Sequence, residues 1–178
     1  MIIGHLPAGY VIAKLLLPRF AALGGHAKTF LWAGVVGALA PDFDMLYFHL
    51  VDQRQHHHHT YVTHFPVIWF LLLLGSAMWF KFAKVKNTAA LAAIFSLNGF
   101  LHMFFDTIVG DIWWFAPFVD RPFAFFTVPA LYKPWWLNFL LHWSFAVEIA
   151  ILAFAIYLWR KGQRPATTLS PSNDSPAP

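Results

Sequence analysis

Cysteine is absent from the 178-residue chain. Disulfides are therefore excluded, and so is any metal site built on thiolates. A metal ion here would have to be held by imidazole, carboxylate, carbonyl oxygen or water. Charge is also scarce, at 11% of residues, where an average soluble domain carries about 25%. The formal net charge is only +4. The basic residues fall in short clusters beside apolar runs, a pattern that does not suit nucleic-acid binding. What fills the chain instead is apolar: 59% hydrophobic residues, among them 20 Phe and 9 Trp, with a mean hydropathy of +0.57. An apolar excess of this size cannot be hidden inside a water-facing domain of this length, so membrane lipid is the expected surrounding. The rings suit a lipid-facing surface with interfacial belts.

The expected fold class is all-α, a polytopic membrane helical bundle with about five apolar helical segments. They run over roughly residues 2–17, 30–41, 65–82, 88–109 and 137–159. The last three approach the roughly 20 residues that span a bilayer, and the first two are short. Residues 1–163 form the expected membrane domain. Residues 164–178, rich in Ser, Pro, Thr and Ala, read as a disordered polar tail. The start does not read as a signal peptide, because Lys14 and Arg19 follow the first apolar stretch rather than precede it.

Basic residues sort by segment end. Lys14, Arg19 and Lys28 lie between the first two segments, Lys81, Lys84 and Lys86 between the third and fourth, and Arg160, Lys161 and Arg164 after the fifth. If all five segments cross, these share one side, and Arg54, Arg121 and Lys133 lie on the other. By the positive-inside rule the richer side is cytoplasmic, which puts the N-terminus outside and the C-terminus inside.

The remaining polar residues then gather at the outer face. His5 opens the first segment, and Asp42 and Asp44 close the second. His56, His57, His58, His59 and His64 precede the third, His102 and Asp106 lie near the outer end of the fourth, and His142 near that of the fifth. His102 and Asp106 share one helix face, with Asn98 a turn further in. Ionisable groups inside a span are costly and face the bundle interior. Neutral imidazole with carboxylate suits zinc, manganese or iron, although the pair could equally be a hydrogen-bonded link between helices. Glu148 is read two ways, as a group that orients a ligand or as a protonated acid in a helix contact. His26 and His49 read as structural or surface residues. The stretch from Gly110 to Trp136 is crowded with Trp, Phe and Pro. Most of these rings read as a belt at the headgroup level. A sharper reading makes the stretch a lid or groove, where Arg121 or Lys133 meets an anionic headgroup. Asp111 and Asp120 are either ligands or partners of these cations.

Four short motifs occur in order: His5 with Gly9; Gly37 to Asp44, as Gly-x-x-x-Pro-Asp-x-Asp; His59 to His64, with Thr63; and His102 to Gly110, as His-x-x-x-Asp-x-x-x-x-Gly, followed by Trp114 and Pro117. Together they resemble the YdjM-like bacterial inner-membrane proteins, described as membrane-bound metal-dependent hydrolases. The resemblance covers roughly residues 1–120. It departs where the family commonly has Arg and Ser, here Thr60 and Phe65; a phosphate-contacting role of that Arg would be lost or passed to Arg54 or Arg121. The scattered His and Asp are more faintly similar to zinc-dependent phospholipase C and single-strand nucleases. That similarity implies phosphoester hydrolysis at a site of two or three zinc ions.

The expected metal ligands are His5, Asp42, Asp44, His59, His64, His102 and Asp106, with Asp44 or Asp106 as catalytic base. They would bind a divalent metal, zinc first, as one or two ions. The expected function is a metal-dependent hydrolase in the bacterial inner membrane. It would act at the periplasmic face on a lipid or other phosphoester substrate. The alternative is a metal-binding transporter or sensor without hydrolysis.

Overall fold

The computed structural model describes Met1 and residues 3–163. The expected polar tail, 164–178, lies outside the described residues. The chain is helical, and among the described residues no strand forms beyond an isolated bridge between Ile112 and Phe123. The helices are α1 (His5–Ala21), α2 (Ala27–Leu39), α3 (Asp44–Leu50), α4 (Pro66–Phe82), α5 (Asn87–Asp106), α6 (Trp136–Leu141) and α7 (Trp143–Gln163). Short 3₁₀ turns occur at Pro41–Phe43, His58–Thr60 and Val62–His64.

By length and composition α5 and α7 can each cross a bilayer. The pair formed by α2 and the segment Pro41–Leu50 qualifies as a third candidate, bent by 56° at its break. α4, at 17 residues, is apolar but shorter. Two to three candidate spans thus stand where the sequence led to an expectation of about five apolar segments. The physical reasons are local. Proline at the start of the Pro41 turn cannot donate to the α2 ladder, so the chain bends and begins the short α3. The fifth segment is interrupted at His142, whose extended backbone separates α6 from α7.

Two prolines set other boundaries. Phe65 is extended, the conformation favoured before proline, and Pro66 then opens α4 at a position where its missing N–H costs nothing. Between α1 and α2 the chain reverses through Gly24, at φ +76°, where a side chain would be strained.

The bundle is tight because small residues sit at the crossings. A Cβ on Gly9 of α1 would lie 2.5 Å from Ala38 Cβ of α2, and one on Gly34 of α2 would lie 2.6 Å from Ala13 Cβ of α1. Gly99 of α5 lies under the ring of Trp69 on α4. Such close approach is how helices associate in lipid, where burying apolar surface between helices gives little advantage. α5 is central, packing on α1, α2 and α4, whereas α7 packs on α1 and on α6. One apolar cluster, around Ala13, Phe20, Phe30, Ala90 and Ile94, fills one end of the bundle. A second, of Trp69, Met103 and Ile112, lies on the α4–α5 side nearer the other end.

Candidate metal centre

Five segments bring their polar residues to Asp106, the last residue of α5. Asp106 is 3% exposed although it carries a carboxylate. His102, one turn back on α5, places Nε2 at 3.0 Å from Asp106 Oδ2. His59 and His64, from the two 3₁₀ turns ahead of α4, place Nε2 at 3.7 and 3.9 Å from the same oxygen. His5, the first residue of α1, places Nε2 at 2.9 Å from Asp106 Oδ1, and its ring stacks on His102 at 3.7 Å. The Met1 amino group also reaches Asp106 Oδ1. Asp42, turned inward by the bend after α2, has Oδ1 at 3.5 Å from His102 Nε2 and 3.7 Å from His64 Nε2.

The opposite nitrogens decide what these rings can do. His102 Nδ1 donates to the Ala38 carbonyl at 2.7 Å, one of the last-turn oxygens that a helix end leaves without a donor. His59 Nδ1 donates to the Asp111 carbonyl at 2.7 Å. His64 Nδ1 donates to Asp44 Oδ2 at 2.5 Å. Each acceptor oxygen needs a hydrogen from the ring, so Nδ1 carries a proton, and in the neutral ring the lone pair is left on Nε2. An imidazole fixed through one nitrogen with its other lone pair aimed inward is the usual arrangement of a metal-binding histidine. In the two-turn loop, burial lowers the pKa of His59 to about 2 and that of His58 to about 4, which keeps both rings neutral.

Lone pairs facing a carboxylate repel unless positive charge lies between them. His64 Nε2 and His102 Nε2 are buried and make no hydrogen bond, as are His5 Nδ1 and Asp44 Oδ1. Native interiors rarely leave so many polar atoms unpaired in one place. A proton on one ring would answer one contact; a cation among the rings would answer those of His64 and His102 together. The spacings fit such an ion, because ligands about 2.0–2.1 Å from zinc in a tetrahedron lie about 3.4 Å from one another. Three groups can offer ligand atoms within 4.8 Å of one another: His58, His59 and His64; His64, His102 and Asp106; and His5, Asp42 and His102. They overlap through His64 and His102, so the donors form one continuous cluster.

Asp44 sits differently. Its Oδ2 receives both His64 Nδ1 and the Thr63 hydroxyl, the latter at 2.7 Å, which places this oxygen behind His64. Its Oδ1 is the atom left for a ligand or base role. Asp44→Asn is expected to weaken zinc binding by about 10–100-fold, the usual effect of losing a carboxylate that orients a ligating histidine. Equilibrium dialysis against zinc measures this; unchanged affinity would mean that His64 needs no anchor.

The other expected residues are accounted for. His56 is exposed and bonded to Asp52, which lowers the Asp52 pKa to about 2. His49 is exposed and bonds to the Met45 carbonyl. His142 pairs with Ser144 in its own turn. Asp120 accepts from Trp113, and Asp111 contributes only its backbone oxygen to His59. The sequence reading missed the carbonyls of Ala38 and Asp111, which no residue type announces, and the anchoring role of Thr63, which the motif does contain. Beside the cluster, Thr107 receives the Trp114 indole N–H at 2.9 Å. Both residues line a cavity of about 770 Å³ with Phe115, Arg121, Phe123 and Phe125.

The sequence matches the family described as YdjM inner membrane protein over residues 1–166. The chain belongs to the YdjM family. Neither a curated protein nor a solved structure matches it. Membership agrees with the apolar helices and puts the chain among inner membrane proteins. The YdjM match includes every residue of the cluster.

Proposed function

We propose that this YdjM-family protein is a metal-dependent hydrolase of lipid-type phosphoesters, with its site at the periplasmic face of the inner membrane. The observation that carries the reading is the convergence of the Nε2 atoms of His59, His64 and His102 on Asp106, each ring fixed from behind through Nδ1. His5, Asp42, His59, His64, His102 and Asp106 would hold one or two divalent ions, zinc being the ion their chemistry suits best, with Asp44 Oδ1 as a further donor. The bound ion would supply Lewis-acid activation of water and of a phosphoryl oxygen.

The chain's own groups do the rest. Asp42 is the open side of the cluster, with its side chain 36% exposed against 3% for Asp106, so substrate and water would arrive past Asp42. Asp106 or Asp44 would accept the proton released by the attacking water. The cavity beside Thr107 has an aromatic wall with Arg121 at its rim, which favours an amphipathic anion. The charge pattern supports the periplasmic placement: Lys14, Arg19, Lys28, Lys81, Lys84, Lys86, Arg160 and Lys161 fall toward the segment ends opposite those that carry His5, His59, His64 and His102.

Elemental analysis of the purified chain, alone and as His64→Ala and His102→Ala, with phosphodiester hydrolysis followed in parallel, tests this. Bound zinc and turnover should both fall by more than about 100-fold in each variant. Zinc bound without turnover on any phospholipid would replace the hydrolase reading with metal transport or sensing. No bound metal, and none recruited by added zinc, would end both readings.

A further inference from the structure

Glu148 is the only glutamate in the sequence, and it lies within α7, a helix otherwise apolar until its final turn. It is 2% exposed. A carboxylate is costly inside an apolar span and needs a purpose there. Its Oε2 accepts the backbone N–H groups of Ile3 at 2.6 Å and Gly4 at 2.9 Å. These are the amides of the N-cap residue of α1 and of the residue before it, and α1 offers no side chain of its own to meet them. Its N-cap residue is Gly4, with no side chain to bond, and its first turn contains no acidic residue. A Cβ at Gly4 would lie 2.8 Å from Met1 Sδ and 3.3 Å from Glu148 Cγ, so the glycine leaves room for both side chains.

The first residue of α1 is His5, whose ring stacks on His102 and bonds to Asp106. A helix end frays unless its first N–H groups are satisfied, and a carboxylate at that end also meets the positive pole of the helix. We infer that Glu148 is a positioning residue. Delivered by α7, it caps α1 from outside that helix and so holds His5 against the metal cluster. This role rests on the metal reading above only in what His5 is held for; the cap itself does not.

A double-mutant cycle on the full chain in detergent tests it, with zinc affinity and backbone amide exchange as the two readouts. Glu148→Ala should raise exchange in the peptide covering the first turn of α1 about tenfold and leave α4 and α5 unchanged. It should weaken zinc binding by about 10–100-fold, and Glu148→Gln, which keeps an acceptor oxygen, should restore part of both. In the His5→Ala background, Glu148→Ala should weaken zinc binding no further, since a residue acting through His5 has nothing left to position. Additive losses, or exchange that rises throughout the bundle, would overturn the assignment in favour of a general packing role. If Glu148→Ala does not fold, the same cycle run with Glu148→Gln decides: effects confined to α1 and absent without His5 uphold the role, and additive ones overturn it. If the wild-type chain binds no zinc, the metal reading fails and exchange alone decides the cap. Lost protection confined to the start of α1 then upholds it, and unchanged protection overturns it.

Discussion

Replacing Asp106 with asparagine is expected to reduce zinc affinity by more than about 100-fold while leaving the bundle folded, and replacement with alanine to do the same with a lower melting temperature. Losing a group that merely orients a ligand costs about 10–100-fold, and Asp106 is the group on which the rings converge. Its two oxygens lie within 3.9 Å of four imidazoles, and it is the most buried carboxylate of the cluster. Without its charge, a divalent ion would rest on neutral rings, the more exposed Asp42 and the Asp44 oxygen behind His64, in a medium that solvates ions poorly. Asparagine keeps the shape and one acceptor oxygen, so it separates the loss of charge from the loss of packing. Melting curves with and without zinc provide the measurement. An ion that binds only the folded state stabilises it by about 4 kcal/mol at a thousand times its dissociation constant. The wild type should therefore melt at a clearly higher temperature with zinc, and neither variant should respond. A variant that keeps the full zinc response would remove Asp106 from the centre of the site.

Gly37→Ala is expected to be the most damaging change of a single methyl group. The new Cβ would lie 2.2 Å from the Phe95 carbonyl oxygen and 2.8 Å from its carbonyl carbon and Cα. All three are backbone atoms of α5, so no rotamer change can relieve the contact, and α2 and α5 must separate. Overpacking commonly costs about 1–3 kcal/mol, and a rigid backbone obstacle belongs at or above the top of that range. The damage should also reach the site, because the next residue, Ala38, supplies the carbonyl that fixes His102. Gly75→Ala in α4 is the matched control. Its Cβ would meet nothing within 4 Å, and alanine is the better helix former by up to about 1 kcal/mol. Tryptophan fluorescence melts in detergent should show Gly37→Ala lowered and Gly75→Ala unchanged or raised. Equal melting temperatures would mean that the α2–α5 crossing is looser than its geometry.

Much of this was legible in the sequence, for identifiable reasons. Apolar runs do not depend on tertiary context, so the segments at 65–82 and 88–109 correspond closely to α4 and most of α5. The i, i+4 spacing of His102 and Asp106 needs only helix geometry to become a shared face. The order of His and Asp motifs marked the cluster because imidazoles and carboxylates are rare in apolar chains unless they have a partner. What could not be read was of another kind. The turn that makes α3 follows from Pro41, but how far the chain bends there depends on what it packs against. The carbonyls of Ala38 and Asp111 are backbone atoms, and composition does not mark them. Glu148 was visible as an anomaly, yet its partners are amides at the far end of the sequence, which only the packing of α7 on α1 brings near.

The cap on α1 also has a consequence in time. Chains are made from the N-terminus, so His5 is synthesised before the other imidazoles and carboxylates of the cluster, which follow on the segments up to α5. The carboxylate that closes the start of α1 comes only with α7, the last described helix. Until α7 has been made and laid against α1, the ribosome has delivered every histidine of the centre but not the group that secures the first of them. A nascent chain halted before α7 would carry the full set of donor side chains around an open amide end. Completion of α7 is thus the event that finishes α1.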